Sequence, residues 1–211
     1  MSLVEDISAA IQKGKKKDVT ALVQQAIDEG VDAKAILSDG LLAGMNIVGE
    51  RFKKDEIFVP EVLVAARAMN AGTQLLKPLL ADADAKPLGK AVIGTVKGDL
   101  HDIGKNLVRM MIEGKGIEVI DIGVDVAPED FIKAAVENDA QIICCSALLT
   151  TTMPMIGEVV KAAEAAGIRD KVTIMIGGAP VNQEFCDSVN ADIYTADAAS
   201  AADAAAGVFT K

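Results

Sequence analysis

The chain has 211 residues, 51% hydrophobic and 25% charged, with a mean hydropathy of +0.31 and a formal net charge of -10. That apolar content excludes a disordered chain, and the length falls between one domain of ~100 to 200 residues and two, so two compact units are expected. The acidic balance excludes a chain built to neutralise a phosphate backbone or an anionic membrane surface, since Lys15, Lys16 and Lys17 are too few to reverse it.

The amino terminus carries Glu5 and Asp6 where a secretory signal would be basic. No apolar run approaches the ~20 residues of a membrane span, so a cytoplasmic protein is expected. Residues 3 to about 80 show helical periodicity and no alternating segment. Val4, Ile7 and Ile11 make one apolar stripe, Val19, Leu22, Val23 and Ala26 a second, and Gly14 and Gly30 stand where those helices would stop. Leu37, Leu41, Met45, Val48 and Phe52 step by four, four, three and four, and Val62, Ala66, Met69, Thr73 and Leu76 by four, three, four and three. Four amphipathic helices are predicted, closing into a bundle over residues 1–84. The stretch 81–90 breaks the periodicity with charge, Pro87 and Gly89, and residues 85–90 read as a linker.

From 91 to 211 the pattern alternates. Strands are predicted at 91–96, 117–122, 141–146, 172–176 and 192–194, separated by helices near 105–114, 129–138, 155–166, 181–189 and 198–208. Five such units predict a doubly wound, flavodoxin-like (Rossmann-type) α/β domain with a five-stranded parallel sheet in the order 2-1-3-4-5, its switch point between strands 1 and 3. Cys144, Cys145 and Cys186 lack the paired spacing of a zinc site or disulfide framework and read as buried small hydrophobes.

Two loops meet at that switch point. The first follows strand 1 as Gly98-Asp99-Leu100-His101-Asp102-Ile103-Gly104-Lys105-Asn106 and contains the only histidine; the second, Ser146 to Thr152, follows strand 3. Gly177-Gly178-Ala179-Pro180 leaves strand 4 on the same edge. A histidine with a carboxylate two residues before it can be a metal ligand with its own orienting partner, and glycines at strand ends leave room for a large flat ligand. Each residue also has a structural use: Asp99 as a helix cap, Ser146 as a buried hydroxyl bonded to backbone, Gly177-Gly178 as a tight turn. No full-length phosphate-binding glycine loop is present, which sets an ordinary nucleotide aside.

The order Asp99-x-His101-x-x-Gly104, then Ser146-x-Leu148, then Gly177-Gly178 resembles the signature of cobalamin-binding domains that hold the cofactor base-off and histidine-on. The helical half, through Gly44 to Phe52 and Glu56 to Met69, is similar to the cap preceding such domains in methionine synthase and in the corrinoid proteins of anaerobic methyltransferase systems. The resemblance implies His101 as the lower axial ligand of cobalt, Asp99 accepting from its other ring nitrogen, and Ser146 hydrogen-bonded in turn to Asp99. It further implies cofactor contacts at Asp102, Ile103, Gly104, Leu148, Thr150 and Tyr194-Thr195-Ala196, with the displaced nucleotide tail running past Ser146, Gly177 and Gly178. Met45, Phe58 and Val59 stand at helical spacing and also read as bundle core; the resemblance implies cofactor contacts for them, with Phe58 near the upper, methyl-bearing face.

By the same resemblance the function is a methyl carrier cycling between methylcobalamin and Co(I), with Co(II) between them. It would take methyl groups from methylamines, methanol or aryl methyl ethers and pass them to tetrahydrofolate or a thiol coenzyme. The partners implied are a substrate-specific methyltransferase, an acceptor methyltransferase and a corrinoid reductive activase, and no catalysis is expected from the chain alone. The rivals are the cobalamin subunit of an adenosylcobalamin-dependent mutase, a cobalamin sensor or storage protein, and a flavodoxin-like domain without cobalamin.

Overall fold

In the computed structural model, which describes residues 2–82 and 87–210, the amino-terminal stripes become α1 (Leu3–Gln12), α2 (Lys16–Asp28), α3 (Ala33–Ala35), α4 (Ala43–Lys53) and α5 (Val59–Asp82). Ser2 and Glu5 form a reciprocal capping box that satisfies the free N–H groups at the start of α1. Gly14 and Gly30, with φ of +63° and +76°, follow the last residues of α1 and α2 as expected stops. α3 and α4 belong to one rod joined by a π-helical stretch, Ile36–Leu42. This corrects the expected spacing. Ile36, Leu41, Met45 and Val48 are buried, a first step of five rather than the four from Leu37, because the wider π turn accommodates an extra residue. Gly40 and Gly44, one turn apart on that rod, allow α1 to approach closely; a Cβ on Gly44 would lie 2.8 Å from the Cβ of Ile11. The helical core is Ile7, Ile11, Val19, Val23, Ile36, Leu41 and Leu76.

The chain divides into two units, Met1–Lys86 with Gly114–Gly116 and Pro87–Glu113 with Ile117–Lys211. Residues 83–86, which include the first two of the expected linker 85–90, lie outside the described residues. The second unit is a parallel sheet in the order β2-β1-β3-β4-β5, made of β1 (Lys90–Thr95), β2 (Glu118–Asp121), β3 (Ile142–Ser146), β4 (Thr173–Gly177) and β5 (Ile193–Tyr194). Its helices are α6 (Ile103–Glu113), α7 (Pro128–Glu137), α8 (Pro154–Ala165), α9 (Gln183–Ser188) and α10 (Ala198–Val208).

The central strands read as unbroken apolar runs because helices cover both faces. Val92, Ile143 and Ile174 point to one face and pack with Phe131 of α7 and Ile156, Val159 and Val160 of α8. Alternate residues Ile93, Cys144 and Met175 point to the opposite face, toward α6 and α10. The inward side of α10 is Ala198, Ala201, Ala202 and Ala205. Because β1 leads outward to β2 while β3 lies on its other side, the loops after β1 and β3 part at their carboxyl ends and leave a crevice. Among the described residues no helix is long and apolar enough to cross a membrane.

Candidate functional site

The loop from β1 to α6 is fixed through its main chain, partly by Asp125 of the loop after β2. Asp99 N–H donates to the Val96 carbonyl at 3.1 Å, Asp125 N–H to the Asp99 carbonyl at 2.9 Å, and the buried Thr95 hydroxyl to the His101 carbonyl at 2.8 Å. Asp125 in turn accepts from Gly98 N–H at 2.7 Å. The histidine is therefore held at its main chain before its side chain is considered.

The Asp99 carboxylate is fully buried and faces five donors. Oδ1 accepts from His101 N–H at 3.1 Å and lies 2.6 Å from His101 Nδ1; Oδ2 accepts from Leu148 N–H at 2.7 Å, Leu149 N–H at 3.3 Å and the Thr152 hydroxyl at 2.9 Å. Burial acts to raise the Asp99 carboxyl, but the bonds from the His101 side chain, Leu148, the His101 backbone and Thr152 outweigh it and hold the group well below the usual carboxylate range. An ionised carboxylate only accepts, so the nitrogen facing it, Nδ1, carries a proton, and Nε2 is the nitrogen that points away from Asp99. The His101 side chain is half exposed, and Nε2 has no hydrogen bond among the described residues. An imidazole with one nitrogen anchored by a carboxylate and the other without a protein partner is arranged as a metal ligand with its orienting group.

His101 stands at the mouth of a cavity of about 500 Å³ between the sheet and helices α6 and α10. Of the residues expected to touch a cofactor, Asp102, Ile103, Gly104, Ser146 and Leu148 line it near His101, and Gly177, Gly178, Tyr194, Thr195 and Ala196 line it from β4 and β5. Asp99 sits behind His101, and Thr150 is exposed outside the lining. Met45, Phe58 and Val59 belong to the helical unit, where Met45 is 1% exposed within the core and Phe58 is 64% exposed.

The expected bond from Ser146 to Asp99 is absent, which corrects the relay. The turn Leu148–Thr152 folds over the carboxylate and presents two backbone N–H groups and the hydroxyl of Thr152, so Oδ2 is already occupied, while Ser146 lines the cavity and its carbonyl accepts from Val96 N–H at 3.0 Å. Thr95 and Lys105 were also unforeseen. Lys105 is buried, with Nζ 2.6 Å from both carboxylate oxygens of Asp121 and 3.0 Å from Asn106 Oδ1, which pins the first turn of α6 to the end of β2. A lysine next to a glycine gives no sequence signal of burial; a threonine ending an apolar strand gives a faint one.

The surroundings suit a large, flat, partly apolar ligand. Leu100 and Ile103 flank His101 at 72% and 77% exposure, and a Cβ on Gly104 would meet nothing within 4 Å. On the opposite rim Gly178 holds φ at +134°, and a Cβ there would lie 1.8 Å from the Ala147 carbonyl oxygen, so the two loops abut only because that residue is glycine. Among the described residues no cluster of three or more His, Cys, Asp or Glu could hold a bare ion, so a metal bound through His101 must bring its other ligands with it.

Residues 89–206 match a family described as B12 binding domain, and residues 3–77 match a second family with the same description. The chain is 42% identical to dimethylamine corrinoid protein 1 of Methanosarcina acetivorans over 200 residues, 94% of this chain and 93% of that one. Among solved structures it is similar to the methanol:cobalamin methyltransferase complex from Methanosarcina barkeri, with a TM-score of 0.89, 33% identity and coverage of 98% of this chain and 79% of that one. It is also similar to a cobalamin-binding protein from Desulfitobacterium hafniense, with a TM-score of 0.80 and 31% identity over 100% of both chains. A lone histidine that can offer cobalt one nitrogen, in a chain matched on both halves by B12 binding domains, leads to one conclusion: the protein belongs to the B12-binding corrinoid protein family, and its cofactor is cobalamin.

Proposed function

We propose that the protein is the methyl carrier of a multi-component methyltransferase, with a methylamine as the favoured class of donor and a folate or thiol coenzyme as the final acceptor. The observation that carries this reading is the Asp99–His101 pair, which leaves Nε2 bare at the cavity mouth. The donor class is supported by relatives named as dimethylamine corrinoid proteins, at 42% and 44% identity over 94% of the chain. Methanol remains the second choice, because the methanol:cobalamin complex aligns over 98% of the chain at 33% identity.

When bound, the corrinoid's cobalt supplies a centre that accepts and releases a methyl group. The chain's own residues do the rest. His101 would hold the metal through Nε2, and Asp99, accepting from Nδ1, would orient the ring and make the imidazole a stronger donor. Leu148, Leu149 and Thr152 keep Asp99 ionised; Leu100, Ile103 and Leu148 offer apolar surface that excludes water around the ligand. Ser146, Gly177 and Gly178, with Asp102, Gly104 and Tyr194-Thr195-Ala196 along the walls, would hold the corrinoid's nucleotide tail in the cavity. The partners are a donor-specific methyltransferase, an acceptor methyltransferase and a reductive activase.

The test is electron paramagnetic resonance of the Co(II) form in protein labelled with nitrogen-15 histidine. Hyperfine structure that changes with the label is expected and is lost in His101→Ala; a spectrum indifferent to both would overturn the assignment. Methyl transfer from dimethylamine with a donor methyltransferase then separates the amine class from methanol.

A further inference from the structure

The inner end of the cavity differs chemically from its mouth. Ile93, Cys144 and Met175 share one register level across β1, β3 and β4 and form the floor. Leu107 and Val108 of α6 make one wall, Ala198 and Ala201 of α10 the other. The space exists because α10 presents only alanines there, and any larger side chain would fill it.

Polar side chains of the lining cluster toward the loops, at His101, Asp102, Ser146, Thr195 and Asp197. Tyr194 pairs with Ile176, one level nearer the loops than the Met175 row. Lys105 lines the cavity, but its three protons are committed to the two Asp121 oxygens and to Asn106. The floor therefore offers only sulfur as polar atoms: the Met175 thioether and the Cys144 thiol, which burial pushes up to about 12 and keeps protonated.

We propose that this floor selects the lower base of the corrinoid, accepting a benzimidazole-type base whose inner edge is hydrocarbon and rejecting an adenine-type base whose inner edge carries an amino group and ring nitrogens. This rests on the reading that the displaced tail occupies the cavity. An adenine there would exchange water for sulfur and methyl groups, and each polar atom left without a partner lowers affinity by roughly 5- to 150-fold.

The experiment titrates the cofactor-free full chain, by visible absorbance and calorimetry, with three probes: cobalamin, the analogue with adenine as lower base, and cobinamide, which has no base. Cobalamin should bind at least about tenfold more tightly than the adenine analogue. Ala201→Leu, which fills the cavity, should weaken cobalamin about tenfold or more and leave cobinamide unchanged, and Met175→Gln, which places a donor and an acceptor in the floor, should narrow the gap between the two bases. Equal affinities of wild type for cobalamin and the adenine analogue overturn the selectivity, even if Ala201→Leu behaves as expected. If a folded Ala201→Leu protein binds cobalamin as wild type does, the tail lies elsewhere and the underlying reading falls with it. The wild-type comparison of bases stands whether or not either variant folds.

Discussion

Replacing Asp99 with asparagine keeps the side chain's shape, removes its charge and forces a choice. One of two positions, each now met by donors, must become an NH₂ group. The Oδ2 side faces three donors and the Oδ1 side faces His101 N–H and Nδ1, so the amide oxygen should take the Oδ2 side and the NH₂ group should face the imidazole. Nδ1 can then only accept, and the ring proton moves to Nε2, the nitrogen needed for cobalt. The cost to the cofactor-free fold combines four bonds weakened from charge-assisted to neutral with one part-buried His101 N–H left without an acceptor, about 3 kcal/mol in all. Tyr194 is the only tyrosine and the chain has no tryptophan, so tyrosine fluorescence during urea unfolding reports on the α/β unit alone. With a slope of about 2 kcal/mol per molar, the midpoint should fall by about 1.5 M. The gap should narrow in acid: a carboxylate whose folded pKa lies below its unfolded value stabilises fully above about pH 4 and loses that contribution as pH falls toward the folded value, whereas asparagine has none to lose. Cobalt ligation by His101 should weaken by roughly 10- to 100-fold. A midpoint within about 0.2 M of wild type, together with an intact histidine-ligated spectrum, would refute the reasoning.

Gly104→Ala should leave the cofactor-free fold as stable as wild type or up to about 1 kcal/mol more so, since a Cβ there meets no atom and alanine favours helix, yet it should weaken cobalamin binding by intruding on the ligand; unchanged affinity would place the ligand elsewhere. Gly178→Ala should destabilise the α/β unit by more than about 2 kcal/mol, because the residue has positive φ and its Cβ collides with Ala147 backbone; urea midpoints decide it. Cys144, Cys145 and Cys186 are buried, and burial raises the pKa of all three thiols, so a thiol reagent should titrate them only after unfolding.

Period and punctuation carried the fold a long way. The apolar runs, the glycine stops and the alternation after residue 90 mark the five strands, because a central parallel strand is covered on both faces; the 2-1-3-4-5 order, expected from the usual arrangement of a compact five-stranded doubly wound sheet, is the one observed. The π turn at Ile36–Leu42 was illegible, since one inserted residue alters which side chains face inward without altering composition. The Asp99–His101 pair was legible because two residues of one short loop must meet. The alanine face of α10 was visible as composition but not as a cavity wall, which depends on what the helix covers.

The partner of Asp99 lay beyond sequence reasoning for a related reason. Ser146 ends β3 and Thr152 follows it by six residues, and only the path of the intervening turn decides which hydroxyl reaches the carboxylate. The pair of substitutions Ser146→Ala and Thr152→Val tests that path directly. Thr152 is 7% exposed and its hydroxyl is 2.9 Å from both Asp99 Oδ2 and the Leu149 carbonyl, so Thr152→Val removes a buried donor and should cost about 1 to 2 kcal/mol. Ser146→Ala removes a hydroxyl that has no hydrogen bond among the described residues and should cost less than about 0.5 kcal/mol. In a double-mutant cycle with Asp99→Asn, Thr152→Val should show coupling of at least about 0.5 kcal/mol and Ser146→Ala none. The reverse pattern, coupling at Ser146 and independence at Thr152, would restore the serine relay and reject the turn seen here.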